Sequence, residues 1–167
     1  IKFFGRGGYK LDDALEDQIE ALLGKVEQLP TGAAVGRVIK GETVADQNYI
    51  NHLVDSVGTD LSGLRIVVDA SNGAASHVGP AALRVAGAEV IVINASPDGL
   101  NINAYCGSTH PEQLQKYVVA VHADMGVAYD GDADRCLAVD AEGKLVDGDQ
   151  IMGLLALGMK ADGTLGS

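Results

Sequence analysis

The 167-residue chain is long enough for one ordinary domain with some flanking structure, and 47% hydrophobic against 21% charged residues is the balance of a soluble globular protein with a sizeable core. No run approaches the ~20 apolar residues of a membrane span, so a transmembrane helix is excluded. The net charge of −11, from 23 acidic and 12 basic residues, repels nucleic acid and anionic lipid. A small anionic substrate stays compatible with that charge where a metal or a few Arg and Lys meet it locally. Cys106 and Cys136 lie far apart and fit no paired metal spacing, which reads as two reduced thiols in a cytoplasmic protein.

The chain opens Ile1-Lys2-Phe3-Phe4, a strand already under way with no initiator Met or signal segment, and the expectation is a fragment or a processed product. Apolar positions 11, 15, 19, 22 and 23 form a helical stripe over residues 10–23, with acidic residues in its early turns and Gly24 after it. Residues 30–43 carry Pro30, Gly32, Gly36, Gly41 and Thr43 and read as a linker with a short extended piece at 35–39. A second helix is expected over 44–57, stopped by Gly58. The pattern then changes to strand-sized apolar runs at 64–69, 89–93, 125–129 and 136–139, with helices expected near 76–85 and 111–122 between them. Thr109-His-Pro-Glu112 has capping-box spacing with Pro in the first turn, which places the start of the 111–122 helix. Strands alternating with helices of this length imply βαβ units, and the expected fold is a three-layer α/β/α sandwich with a mostly parallel sheet. The turn at 140–143 predicts an antiparallel edge hairpin between 136–139 and 144–146, followed by an amphipathic helix over 149–160.

Asp130-Gly-Asp-Ala-Asp-Arg135 falls directly between two of these strands. Three carboxylates at alternate positions, separated by residues with almost no side chain, can converge on one cation, and without one their repulsion raises their pKa values. Such hard oxygen donors suit magnesium or calcium rather than zinc. An open α/β sheet binds ligands at the carboxyl ends of its strands, where this loop stands. An EF-hand starting at Asp130 needs Gly sixth and Glu twelfth, and the chain has Arg135 and Ala141 there. An exposed acidic turn, a phosphatase using Asp130 as nucleophile, and a non-catalytic metal-binding α/β module stay open.

With Cys-Leu-Ala-Val-Asp140 and Val146-Asp-Gly-Asp-Gln-Ile-Met152 following it, the acidic loop resembles the metal-loop region of the α-D-phosphohexomutases. The alanine form of the loop, with Asn101-Ile-Asn103 and Cys106-Gly-Ser-Thr-His-Pro-Glu112 upstream, is most similar to the branch of that family acting on glucosamine phosphates. Ile1-Lys-Phe-Phe4 and Lys10-Leu-Asp12 resemble the stretch just after the family's active-site serine loop, so the likeness runs over essentially the whole chain.

The resemblance implies a four-domain parent, with residues 1–43 the end of domain 1, 44–147 domain 2 with the metal loop, and 148–167 the start of domain 3. It implies a cytoplasmic isomerase interconverting glucosamine 6-phosphate and glucosamine 1-phosphate, a step toward cell-wall precursors, with a phosphomannomutase or phosphoglucomutase as the alternatives within the family. Asp130, Asp132 and Asp134 would hold Mg2+, with a phosphoserine oxygen as the remaining ligand. Arg135 would meet the transferring phosphoryl group through its planar fork, the alternative being an outward salt bridge. Lys2 would stand beside the same group, the alternative being a solvated edge-strand lysine. None of the serines sits in the family's Ser-His-Asn-Pro context, so the nucleophile is absent from these residues and the piece alone is expected to be inactive. The partner is a small phosphosugar, with a homodimer of the full-length enzyme among the assemblies the resemblance allows. Ser71-Asn72-Gly73 reads as small residues permitting close strand–helix packing. His110 reads as a helix N-terminal residue, and His52, His77 and His122 as structural or surface residues.

Overall fold

The computed structural model describes residues 3–25, 29–37 and 44–166 and divides into two compact units, residues 1–40 and residues 41–167. The first unit holds an antiparallel bridge between Phe4 and Lys10 and helix α1 (Asp13–Leu22). Asp12 caps α1 by accepting a hydrogen bond from the Ala14 amide, and Asp13 and Glu16 sit in its first turn, where the helix dipole favours negative charge. None of the described residues of this unit is buried, and Leu22 and Leu23 are exposed. Within the expected linker, residues 32–34 make a single 3-10 turn; of the extended piece expected at 35–39, Val35 is extended, while 38 and 39 lie outside the described residues.

In the second unit, α2 (Val44–Val57) leads to β1 (Arg65–Asp69), α3 (Ala75–Val85), β2 (Glu89–Ile93), α4 (Glu112–Ala120), β3 (Met125–Tyr129), β4 (Cys136–Asp140), β5 (Leu145–Val146) and α5 (Gly148–Ala161). The strands form one mixed sheet in the order β2-β1-β3-β4-β5. β1 pairs in parallel with β2 and β3, while β3–β4 and β4–β5 are antiparallel. The antiparallel part is wider than the expected edge hairpin because the acidic loop is itself tight enough to fold β4 back on β3.

Alternation along β1 divides the core between the two faces of the sheet. Ile66 and Val68 pack with Ala88, Leu83, Val127 and Tyr129 on the side of α3. Val67 packs with Leu114, Val118, Ala128 and Val139 on the side of α4. Leu114 and Val118 are fully buried, each contributing about 1.5–3 kcal/mol of hydrophobic stabilisation. Gly126 makes that approach possible, since a Cβ there would lie 2.6 Å from Val118 and 2.8 Å from Leu114. α2 packs chiefly on α3.

The expected capping box at Thr109–Glu112 does not form: 107–109 make a 3-10 turn and Pro111 caps α4 without a side-chain bond. The cause is tertiary, because the Gly107 amide is bound to Asp69 and the His110 amide donates back to the Gly107 carbonyl. A reciprocal capping box closes instead at α5, between Asp147 and Gln150. Among the described residues no helix is long and apolar enough to cross a membrane.

Candidate metal centre

The connections of the sheet place the site. From β1 the chain passes through α3 to β2 on one side, then through α4 to β3 on the other side of β1. The strand order therefore reverses between β1 and β3, and the crevice outside their carboxyl ends is where open α/β sheets bind ligands. Two loops flank that crevice: residues 70–74 after β1 and the acidic loop, 130–135, after β3.

Their backbones touch. The Ala74 amide donates to the Gly131 carbonyl at 2.9 Å. A Cβ on Gly73 would sit 2.9 Å from both Cα and C of Gly131, so only glycine lets the loops approach this closely. The acidic loop is closed by its own backbone bonds, Ala133 amide to Asp130 carbonyl at 3.1 Å and Asp130 amide to Arg135 carbonyl at 3.3 Å. Ala133 takes a positive φ of 59°, a left-handed turn that costs a non-glycine residue free energy and persists because its surroundings fix it.

The loop gathers Asp130, Asp132 and Asp134 so that one carboxylate oxygen from each lies within 4.8 Å of the other two. Asp130 is buried and the other two are exposed. Magnesium, bound at 2.0–2.1 Å, spans at most about 4.2 Å between opposite oxygens, and calcium at 2.3–2.6 Å spans about 5 Å. Oxygens that lie within 4.8 Å of one another are thus close enough for side-chain rotation to gather them on either ion. Three hard oxygen donors with no nitrogen or sulfur among them fit either ion and not zinc.

Arg135 turns back on these carboxylates. Its Nε donates to Asp130 Oδ2 at 3.0 Å and lies 3.5 Å from Asp134 Oδ1, and its amide donates to Asp130 Oδ1 at 3.3 Å. The hydrogen bond and charge of Asp130 hold the guanidinium even further above neutral pH than usual, with Asp134 adding to the effect. The side chain is 81% exposed, so Arg135 pairs with the carboxylates and still faces solvent beside them. Lys2 lies outside the described residues.

Below the two loops lies a buried polar layer whose role the sequence did not reveal. Asp69, at the carboxyl end of β1, is fully buried and accepts from the Ser71 amide (3.0 Å) and the Gly107 amide (2.9 Å). Asn72 accepts from the Ser96 amide at 3.0 Å and donates to the Asn101 carbonyl at 3.4 Å. Ser71 and Asn72 are both left-handed, with φ of 50° and 49°. An acidic residue closing the apolar run Ile66-Val-Val68 was the available signal. Cys106 is buried beside Asp69, and burial first, then that carboxylate, pushes its thiol upward. His77 is exposed and sits 3.5 Å from Asp46, and His110 stacks loosely with Tyr105 at 6.0 Å.

Comparison with known proteins agrees with this architecture. Residues 47–143 match the family model for phosphoglucomutase/phosphomannomutase, alpha/beta/alpha domain II. A phosphoglucosamine mutase of Bifidobacterium animalis subsp. lactis is 59% identical over 170 residues, covering 99% of this chain and 37% of the relative. One of Mycolicibacterium paratuberculosis is 59% identical over 167 residues, covering all of this chain and again 37% of the relative. The chain therefore spans well under half the length of these relatives. Among solved structures, a phosphoglucomutase/phosphomannomutase family protein of Burkholderia thailandensis is 28% identical with a TM-score of 0.59, over 71% of this chain and 26% of that one. A putative phosphomannomutase of Thermus thermophilus, 21% identical with a TM-score of 0.67 over 93% of this chain and 36% of that one, shares the fold. The chain belongs to the phosphoglucomutase/phosphomannomutase family, whose α/β/α domain II it carries.

Proposed function

We propose that the chain is the metal-bearing part of a phosphosugar mutase that interconverts glucosamine 6-phosphate and glucosamine 1-phosphate. The observation that carries the reading is the meeting of Asp130, Asp132 and Asp134 at the strand-order reversal of a phosphohexomutase domain. The names of the relatives 59% identical to it support the choice of sugar. In this reading residues 1–43 end domain 1, 44–147 are domain 2 and 148–167 begin domain 3. The phosphoserine belongs to a part of the parent outside these residues, which contain no Ser-His-Asn-Pro segment.

Phosphoryl transfer asks a protein for positioning and charge neutralisation more than for covalent work. Asp130, Asp132 and Asp134 would hold Mg2+, which when bound neutralises charge on the transferring phosphoryl group. The buried Asp130 anchors the set, because Arg135 fixes both of its oxygens and so limits its rotamers. Arg135 presents an always-charged planar donor beside the carboxylates, suited to phosphate oxygens. Lys2 would assist at the same group from the preceding segment.

The test has two arms. The 167-residue chain should bind Mn2+, used as a paramagnetic stand-in for Mg2+, and lose that binding in Asp132→Ala while its circular dichroism stays unchanged. It should show no turnover of glucosamine 6-phosphate even with a hexose bisphosphate activator, whereas the full-length parent turns over and its Asp132→Ala variant loses most of the activity. Turnover by the 167-residue chain would overturn the placement of the nucleophile. Full activity of the parent Asp132→Ala would overturn the metal assignment.

A further inference from the structure

We propose that Asp69, whose carboxylate hydrogen-bonds to the Ser71 and Gly107 amides outside the acidic loop, is the positioning residue that sets that loop's geometry. The proposal deepens the metal-centre reading and rests on it for its functional meaning, while its structural content stands on the hydrogen bonds alone.

Asp69 is 0% exposed, an expensive place for a carboxylate, and strand β1 would be held as well by an apolar residue of that size. What the carboxylate adds is two acceptors, each taking one backbone amide, and each bond leads to Gly131 by a separate route. Through Oδ1 it takes the Ser71 amide, at the start of the left-handed Ser71–Asn72 turn. That turn delivers Gly73 against the Gly131 backbone and aims the Ala74 amide at the Gly131 carbonyl, 2.9 Å away. Through Oδ2 it takes the Gly107 amide, and Gly107 packs against the Tyr129 carbonyl at the root of the acidic loop. The segment leading to Gly107 is tied to the same turn, because the Asn103 amide donates to the Ser71 carbonyl at 2.9 Å. It sets Ile102 and Asn103 against the outer side of Gly131, where an added Cβ would meet them at 2.7–2.9 Å.

Gly131 is therefore gripped from both sides, and one buried carboxylate holds both jaws. Gly131 stands between Asp130 and Asp132, so its placement decides whether those two side chains converge. Charge-assisted bonds from backbone amides are short and directional, which suits a part whose task is to fix position. An asparagine at 69 keeps the shape but replaces one acceptor with a donor, which must then face an amide N–H.

The experiment uses the 15N-labelled 167-residue chain, with Asp69→Asn and, as a control for general destabilisation, Val118→Ala in the apolar core under α4, outside the hydrogen bonds of Asp69. In the unaltered protein the Ser71 and Gly107 amides should exchange with solvent as slowly as those of β1, a measurement that needs no variant to fold. In Asp69→Asn the Gly107 amide should exchange at least about tenfold faster and the resonances of 131–134 should shift, while β4 amides keep their protection. The Mn2+ Kd should rise about 10-fold or more, the size of effect that outer-shell partners have on metal sites. Val118→Ala should lower the melting temperature and leave both the loop resonances and the Mn2+ Kd as they were. The proposal is overturned if Ser71 and Gly107 exchange as freely as surface loop amides. It is equally overturned if Asp69→Asn leaves residues 131–134 unshifted, or if Val118→Ala moves them as much. Should the unaltered chain bind no Mn2+, the metal reading falls, and the amide shifts still decide the role of Asp69.

Discussion

Replacing Gly73 by alanine adds one methyl group where the acidic loop leaves no room for it. The new Cβ would lie 2.9 Å from Cα and C of Gly131 and closer still to its carbonyl oxygen, all of them backbone atoms that no rotamer change can move aside. Gly73 does not occupy a left-handed conformation, so alanine suits its backbone and the substitution isolates the contact. Restoring an ordinary carbon–carbon separation near 3.5–4.0 Å requires the two loops to part by about 1 Å. Overpacking of this kind costs about 1–3 kcal/mol, and the Ala74–Gly131 hydrogen bond, stretched past its useful range, adds about 1 kcal/mol. A total of about 2–4 kcal/mol lowers the melting temperature of a chain this size by roughly 5–15 °C. Because the part displaced is the acidic loop, Mn2+ affinity should fall with stability, by about 10-fold or more. The comparison is Gly131→Ala, whose Cβ would have side-chain atoms of Ile102 and Asn103 as its nearest neighbours, of which Ile102 is half exposed and can swing into solvent. Thermal melts and Mn2+ titrations of the two variants give the answer. A Gly73→Ala protein melting within about 2 °C of the original, with its Mn2+ affinity intact, would refute the claim that these backbones are in contact.

Gly153 lies inside α5 with nothing within 4 Å of an added Cβ, so Gly153→Ala should raise stability by about 0.5–1 kcal/mol, read from urea midpoints. Leu114→Ala empties the fully buried centre of the α4 face and should cost about 2–5 kcal/mol by the same measurement. Cys136 is exposed and should react with iodoacetamide in the native protein, whereas the buried Cys106 should label only on unfolding. The fold raises the pKa of Cys106, and of Tyr129 through burial, so both favour the neutral form; that stabilisation is complete below the unfolded values, near 8.5 and 10, and is lost as pH rises through the folded ones. Melting temperature should accordingly fall above about pH 8.5, and less steeply at the start in Cys106→Ala.

What could be read from the sequence was whatever a single segment carries by itself. The runs 89–93 and 125–129 and the helix 44–57 stand in the structure at the residues expected, since their period and their flanking breakers are local properties. The acidic loop was equally legible, because its three carboxylates and their spacers are contiguous. Reading failed where a residue's partner is remote. Thr109 satisfies every local rule for a capping box, yet a carboxylate 38 positions away takes the Gly107 amide and bends the segment into a 3-10 turn. The wide antiparallel half of the sheet escaped for the same reason: whether β4 returns along β3 depends on how tightly 130–135 closes, which no periodicity records.

Ser71-Asn72-Gly73 shows how far a bland reading can be right and still fall short. Small residues there do permit close approach, but Gly73 meets the acidic loop rather than a helix packed on a strand. The left-handed pair before it, neither residue a glycine, is strain that only a supporting structure sustains. That support is Asp69, and the sequence marked it only as an acidic residue at the end of a short apolar run. The site is thus assembled in two tiers with opposite legibility. Its three carboxylates advertise themselves by contiguity, whereas the group that aims them is one buried side chain whose meaning lies in two amides, one two residues away and one 38 residues away. A substitution at Asp69 would leave the acidic motif unaltered, letter for letter, and by this reasoning would still take apart the geometry on which that motif depends.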